Sequence, residues 1–306
     1  MGVYIARRVA GFPPVLFLIV SLSFFGVRLA PGGPFDRDRV LPEPVRAKIE
    51  ARYHLNESLG RQYVRYLGDV VRGDLGPSFR YPDRSVNELL GLGFPVSLLL
   101  GGCAMGVAVC MGGAAGLLAG VRRNSFVDYL AMSLALFGVS VPNFVLGPLL
   151  MLLFALGLGW LPVAGWGTWR HVILPAFTLG TFYAAYVARL TRAGVLEVID
   201  QDFIRTARAK GQREATVILR HAVPSAVLPV VSYLGPASAA VLTGSVVVET
   251  VFAVPGIGRY FVTSALNRDY TMVLGTVLSY SVLLLSFNLA VDILYAYLDP
   301  RVQVDR

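Results

Sequence analysis

The chain has 306 residues, of which 55% are hydrophobic and 15% charged, and its mean hydropathy is +0.63. That composition lies outside soluble usage and calls for lipid as part of the solvent. The formal net charge of +8 does not point to nucleic acid, because the basic residues stand in short clusters beside apolar runs, as loops flanking a membrane do.

In chain order, Arg7 and Arg8 precede an uncharged stretch from Val9 to Val27. It exceeds the apolar core of a signal peptide and further runs follow, so a first spanning helix is expected. Those runs are Leu89 to Val121, Tyr129 to Trp169, His171 to Ala188, Ala222 to Val248 and Tyr270 to Val291, six in all with the first. The third is too long for one helix. Gly157, Gly159, Pro162, Gly165 and Gly167 break its end, which predicts a helix to about Leu158 and then an irregular outer loop. The fourth is expected to run a turn or two past Arg189. Cys103 and Cys110 lie in one apolar run, cannot bridge each other there, and read as ordinary helix residues.

With the N-terminus inside, the inner segments hold Arg7 and Arg8, Arg122 and Arg123, seven basic residues from Arg189 to Arg220, and Arg301 and Arg306. The short outer loops hold only Arg170, Arg259 and Arg268, so both termini are expected in the cytoplasm. Leu29 to Glu88 mixes ten basic with nine acidic residues and reads as a solvated outer loop. Leu59, Tyr63, Leu67 and Val70 recur there at helical spacing, predicting a short amphipathic helix on the outer face. Gly112, Gly116 and Gly120 form an overlapping GxxxG series, a groove for a neighbouring helix. The organisation is one transmembrane domain over 1–306, with an outer loop over 30–88 and a cytoplasmic loop over 189–224.

The sequence contains no GxxxxGK[ST] and no HExxH, and His54, His171 and His221 are scattered. The spans carry no ionisable residue near their centres, and Glu249 and Asp292 fall near span ends, within reach of the interface. Nucleotide binding by this chain, proton-coupled transport and intramembrane hydrolysis all lose ground, so energy for any transport has to come from a partner. Ser140, Asn143, Thr243, Ser245 and Asn288 are uncharged polar groups at or within spans and are candidates for lining a pathway. Helix-to-helix hydrogen bonding accounts for each equally well. Glu249, followed by Phe252, Pro255 and Gly256, marks a turn at the outer end of the fifth span and is a candidate gate.

The segment from Gln201 to Gly235 reads as a short helix over Asp202 to Ala209, a reversal at Gly211 with positive φ, and a helix leading to Pro224. Such a helix suits docking into a cleft on another protein, although a merely solvated basic loop accounts for it too.

This segment resembles the EAA loop of ABC-importer permeases. Ala207, Gly211 and Pro224 fall on the matching positions, while Arg205 stands in place of Glu, Thr206 in place of the first Ala, and Val223 in place of Leu. RTARAKG is the form found in the peptide and nickel branch. It is joined by RLAPGGPF from Arg28, KIEARYHLNES from Lys48, GDLGPSF from Gly73, SVPNFVLGPLL from Ser140, VVVETVFAVPGIGRYF from Val246, ALNRDY from Ala265 and LDPR from Leu298.

The resemblance implies an all-α integral membrane protein of the bacterial inner membrane, with six transmembrane helices in the type I ABC importer permease fold, a cytoplasmic coupling helix and a large outer loop. It assigns coupling to Asp202, Phe203, Arg205, Thr206, Ala207, Arg208, Ala209 and Gly211, with Pro224 setting the exit into the fifth span. The implied partners are a second, similar permease, two ATPase subunits that bind ATP and Mg, and a peptide-binding protein outside. The chain itself carries no cofactor, metal or catalytic residue in this reading. Gly33, at a position often Asp in the dipeptide branch, tilts the expected solute toward oligopeptides. Similar permeases handle dipeptides, murein peptides, glutathione or nickel, and a channel or secondary carrier is the competing class.

Overall fold

The computed structural model describes residues 2–29, 53–81 and 83–298. Most of RLAPGGPF, including Gly33, the start of KIEARYHLNES and the chain after Leu298 with Arg301 and Arg306 lie outside the described residues. Among the described residues there is no strand, only an isolated antiparallel bridge between Pro77 and Ser85.

The helices are α1 (Gly2–Ala10), α2 (Phe12–Leu29), α3 (Leu59–Val71), α4 (Val86–Val121), α5 (Phe126–Ser140), α6 (Asn143–Leu150), α7 (Trp169–Val198), α8 (Asp202–Ala209), α9 (Glu214–Thr216), α10 (Val223–Ala226), α11 (Leu228–Val251), α12 (Ile257–Asn267) and α13 (Tyr270–Leu298). Two π-helical turns, Met151–Gly157 and Val217–Ala222, continue α6 and lead into α10. Among the described residues four helices are long and apolar enough to cross a membrane: Ala6–Leu29, Val86–Val121, Trp169–Val198 and Tyr270–Ala290. Two bent pairs, Phe126–Ser140 with Asn143–Gly157 and Glu214–Ala226 with Leu228–Leu242, raise the number to as many as six if each pair is one span.

The third apolar run departs from the expected single helix. It breaks after Ser140, and α5 and the α6 segment meet at 106°. Pro142 lacks an N–H, and it drives Val141 into an extended conformation (φ −89°, ψ 117°) that no helix interior accepts.

Helix α4 starts cleanly because Ser85 and Glu88 form a capping box, each side chain accepting from the other's backbone N–H at 3.2 Å. Its 36 residues span roughly 54 Å, well beyond the hydrocarbon thickness. Helix α7 is the central pillar, packed against α4, α5 and α11. The α4–α7 contact is made by backbone. A Cβ at Gly112 would run into the carbonyl of Ala184, one at Gly116 into that of Ala188, and one at Gly120 would lie 2.7 Å from the Val195 side chain. In the other direction, a Cβ at Gly180 of α7 would meet the carbonyl of Ala104. The GxxxG series is therefore a helix seat, as its spacing predicts.

Leu100, Ala104, Ala108, Leu179, Val241 and Phe252 belong to the main apolar core between α4, α7 and α11. The end of the bundle where α4 stops at Arg122 and Arg123 is its basic end. There Arg192 of α7 makes a two-pronged ion pair with Asp128 at the start of α5, Nε to Oδ1 at 2.7 Å and Nη2 to Oδ2 at 2.8 Å. Asp128 is 2% exposed and also accepts the Asn124 N–H. Arg8 of α1 pairs with Asp292 of α13 at 2.9 Å.

At the opposite end, α3 is present, and Tyr63, Leu67 and Val70 of the expected stripe are half-buried. Leu59 is 54% exposed, whereas Gln62 is buried. Arg28 donates to the Gln62 Oε1 at 3.2 Å, the Gln62 amide donates to the carbonyls of Leu55 and Glu57, and Phe24 packs on Tyr63 and Tyr66. A polar residue can take the inner position because its hydrogen bonds are met there.

Gly113 on α4 has open space where a Cβ would go. Gly116→Ala is thus expected to destabilise the folded chain by about 1–3 kcal/mol through overpacking, and Gly113→Ala to have little effect. Thermal unfolding of the purified variants in detergent checks this pair; equal melting temperatures would remove the backbone contact as the basis of the α4–α7 interface.

Candidate functional site

Helix α8 hangs below the basic end of the bundle and is amphipathic over only eight residues. Its inner face is Ile204, fully buried, and Ala207, 5% exposed. These two pack into a separate apolar cluster with Val195, Val198 and Ile199 of the α7 end and with Val217, Ala222 and Ala226 beyond, against Leu117 and Val121 of α4. Asp202, Phe203, Arg205, Thr206 and Ala209 are exposed, and Phe203 shows 42% of its surface.

The reversal after α8 is fixed by backbone and by one ion pair. Gly211 has φ +74°, and its N–H bonds the Arg208 carbonyl at 2.9 Å, closing the helix. The Arg208 guanidinium donates to Glu214 at 2.7 and 3.2 Å and to the Ile199 carbonyl at 3.4 Å, strapping α8 to both flanking segments. The Arg208–Glu214 hydrogen bond raises the Arg208 pKa above its ordinary value and holds the Glu214 carboxyl below the usual range, in each case against the opposing effect of burial. Pro224 is exposed and follows the π-helical turn Val217–Ala222 within the helical segment Glu214–Ala226. Of the residues matched to the coupling loop, Ala207 is therefore an anchor, while Phe203 and Arg205 face outward.

At the far end of α11, Glu249 does not reach an interface as expected from its place in the sequence; it is fully buried. The chain turns back after Val251 into α12, a helix that sequence reading took as loop, and folds over the carboxyl group. Glu249 Oε1 accepts from Ser97 of α4 at 2.7 Å and lies 2.8 Å from the Ser245 hydroxyl. Oε2 accepts the N–H groups of Gly258 at 2.8 Å and Arg259 at 3.3 Å, at the start of α12. The carboxyl thus closes three elements together without a cation. Asp269 does the same between α12 and α13, accepting from the Ser78 hydroxyl and the Phe79 and Arg80 N–H groups of the segment before α4.

The proposed pathway residues are not brought together as a set. Ser245 is buried beside Glu249. Ser140 is exposed and bonds the Leu136 carbonyl of its own helix. Asn143 begins α6 with a buried, unpartnered Oδ1, and Asn288 is half-buried on α13. The Thr243 side chain lies outside the described residues. Ser97, Asp128 and Asp269 were missed by sequence reading, since their partners are 64 to 191 residues away. Among the described residues no group of His, Cys, Asp and Glu is placed to hold a metal ion.

A family model described as "Binding-protein-dependent transport system inner membrane component" matches residues 112–304, which include the whole of α8 and its anchoring cluster. The chain belongs to that family. Among curated relatives of this permease family, the oligopeptide transport system permease protein OppB of Haemophilus influenzae is 48% identical over 302 residues, covering 98% of this chain and 99% of that protein. The dipeptide transport system permease protein DppB of Bacillus subtilis is 43% identical over 306 residues, covering 100% and 99%. A solved structure of the MetNI methionine ABC transporter in inward facing conformations superposes with a TM-score of 0.56 at 18% identity, covering 69% of this chain and 96% of that one. That likeness shows the permease fold.

Glu249→Leu leaves its hydrogen-bond donors without an acceptor and is expected to cost at least about 2 kcal/mol. Glu249→Gln keeps one oxygen for the α12 N–H groups and is expected to cost less. Denaturation of the two purified variants checks the order, and a Leu variant as stable as the wild type would exclude the clamp.

Proposed function

We propose that this chain is the transmembrane permease subunit of an ATP-driven importer that carries oligopeptides from a binding protein outside the inner membrane into the cytoplasm by alternating access. The observation that carries this is the near-complete, 48% identical match to an oligopeptide permease together with a short helix, α8, built to be touched from outside the chain. The dipeptide relative at 43% identity keeps dipeptides as the second reading.

In this reading each bent pair is one span, giving six, and the basic end of the bundle faces the cytoplasm. The Arg8–Asp292 pair joins the first and last helices at one level, in keeping with both termini on one side. Residues 30–88 form the outer loop of a single domain, and the cytoplasmic loop falls within 189–224, whose first residues complete α7. A second permease completes the pathway, two ATPase subunits bind ATP and Mg and receive α8, and a peptide-binding protein delivers the solute. The chain performs no catalysis itself. Asp202, Phe203, Arg205, Thr206, Arg208, Ala209 and Gly211 make up the coupling surface and its reversal, Ala207 and Pro224 hold it in place, and Glu249 with Ser245 sets the outer closure, with Ser140, Asn143, Thr243 and Asn288 along the way.

Phe203 is the clean probe of coupling, because Ala207→Glu would bury a charge and unseat α8 on its own. Phe203→Ala is expected to lower ATP-driven peptide uptake into proteoliposomes by about ten-fold or more, as loss of a central aromatic anchor does, while the chain still inserts and keeps its thermal stability. Full uptake by that variant would take α8 out of the coupling role. Transport by the chain alone without nucleotide would overturn the importer reading.

A further inference from the structure

Tyr186 and Arg189 stand one turn apart on a face of α7 beside α11, with Phe182 a turn before them. Arg189 is exposed, and Phe182, Tyr186 and Tyr233 of α11 are half-buried. Tyr233 stacks on Tyr186 with ring centroids 5.7 Å apart and planes at 22°. The Arg189 Cζ lies 4.7 Å from the centroid of the Tyr186 ring.

The depth of this cluster is set by the α4 seat. Gly116 rests on Ala188, and α4 continues from there to Val121 before Arg122 and Arg123 end the apolar layer. Arg189 therefore sits roughly 7 Å inside that level. A guanidinium facing lipid at such a depth reaches back toward the headgroups. This one reaches the other way, over the residue one turn farther from the basic end. Among the described residues no carboxylate is paired with it. A cation held toward the membrane interior on an aromatic face belongs to a surface that meets water and anions rather than acyl chains.

We propose that Arg189, with Tyr186 and Tyr233, is a contact site in the transport pathway for the α-carboxylate of a peptide in transit. The proposal rests on the peptide-importer reading above. A free carboxylate is the anionic group that linear peptides of every sequence share, and a guanidinium fork meets it with two parallel hydrogen bonds. The two stacked rings offer apolar surface to whichever side chain follows, without selecting one. The exposure of Arg189 keeps the contact weak, and a transport site has to release what it holds.

The test compares ATP-driven uptake of one peptide and its C-terminal amide into proteoliposomes holding the assembled importer, each at a concentration that saturates the binding protein. The wild type is expected to move the free acid about ten-fold faster than the amide, the gain from one charge-assisted contact. Arg189→Gln brings the acid down to the rate of the amide and leaves the amide unchanged; Arg189→Lys keeps part of the preference. No acid preference in the wild type, or the same preference in Arg189→Gln, overturns the site. Equal slowing of both peptides by Arg189→Gln also overturns it and assigns Arg189 to packing or to the second permease. Absence of ATP-dependent uptake of either peptide by the wild type overturns the importer reading itself, and this site with it.

Discussion

In a bilayer the hydrophobic effect does not press one helix onto another, so helices that must stay together need contact close enough for dispersion and backbone complementarity to hold them. The α4–α7 seam supplies this, with Gly112 and Gly116 admitting the α7 backbone, Gly120 the Val195 side chain, and Gly180 the backbone of α4. The rest of the chain is arranged around this pair. Helix α5 is tied to α7 through Asp128 and Arg192, α11 packs along α7, and α8 hangs from the end of α7 through Ile204 and Ala207.

Among the described residues, the buried carboxyl groups Asp128, Glu249 and Asp269 meet their environments in two ways. Asp128 is matched by a guanidinium, which is consistent with its place at the basic end. Glu249 and Asp269, at the other end, are matched by hydroxyls and backbone N–H groups, in each case where a helix begins just after a turn. A carboxyl satisfied by N–H groups fixes the direction of the chain that carries them, which is a stronger constraint than an ion pair between two long side chains. Glu249 thereby sets α12 across the end of α11 and against Ser97 of α4, and Asp269 brings the segment before α4 onto the α12–α13 corner.

The sequence made the long apolar helices, the GxxxG seat, the amphipathic α3 and the Asp202–Ala209 helix with its Gly211 reversal legible, because each rests on a local period or on a single residue with a strong backbone preference. The bend at Val141–Pro142 was available from Pro142 alone, yet the unbroken apolar run around it outweighed one proline. Helix α12 was hidden because its eleven residues include Arg259 and sit between two span ends, where a loop is the default expectation. The Glu249 and Asp128 clusters could not be read at all: a carboxyl near a span end looks alike whether it snorkels or is folded over, and the difference lies in partners far off in the chain.

The small apolar cluster beneath the bundle joins α8 to the ends of α7 and α10 through side chains with almost no exposed surface, against the half-buried Leu117 and Val121 of α4. Close-packed material of this kind deforms little, so it behaves as a block rather than a cushion. Helix α7, fixed in that block, is about 45 Å long. A push on Phe203 that tilts the block by about 5° therefore carries the far end of α7 sideways by about 4 Å, by the geometry of a rod of that length. The smallness of α8 is thus no measure of its reach: in the proposed coupling role it would be the short arm of a lever whose long arm is α7.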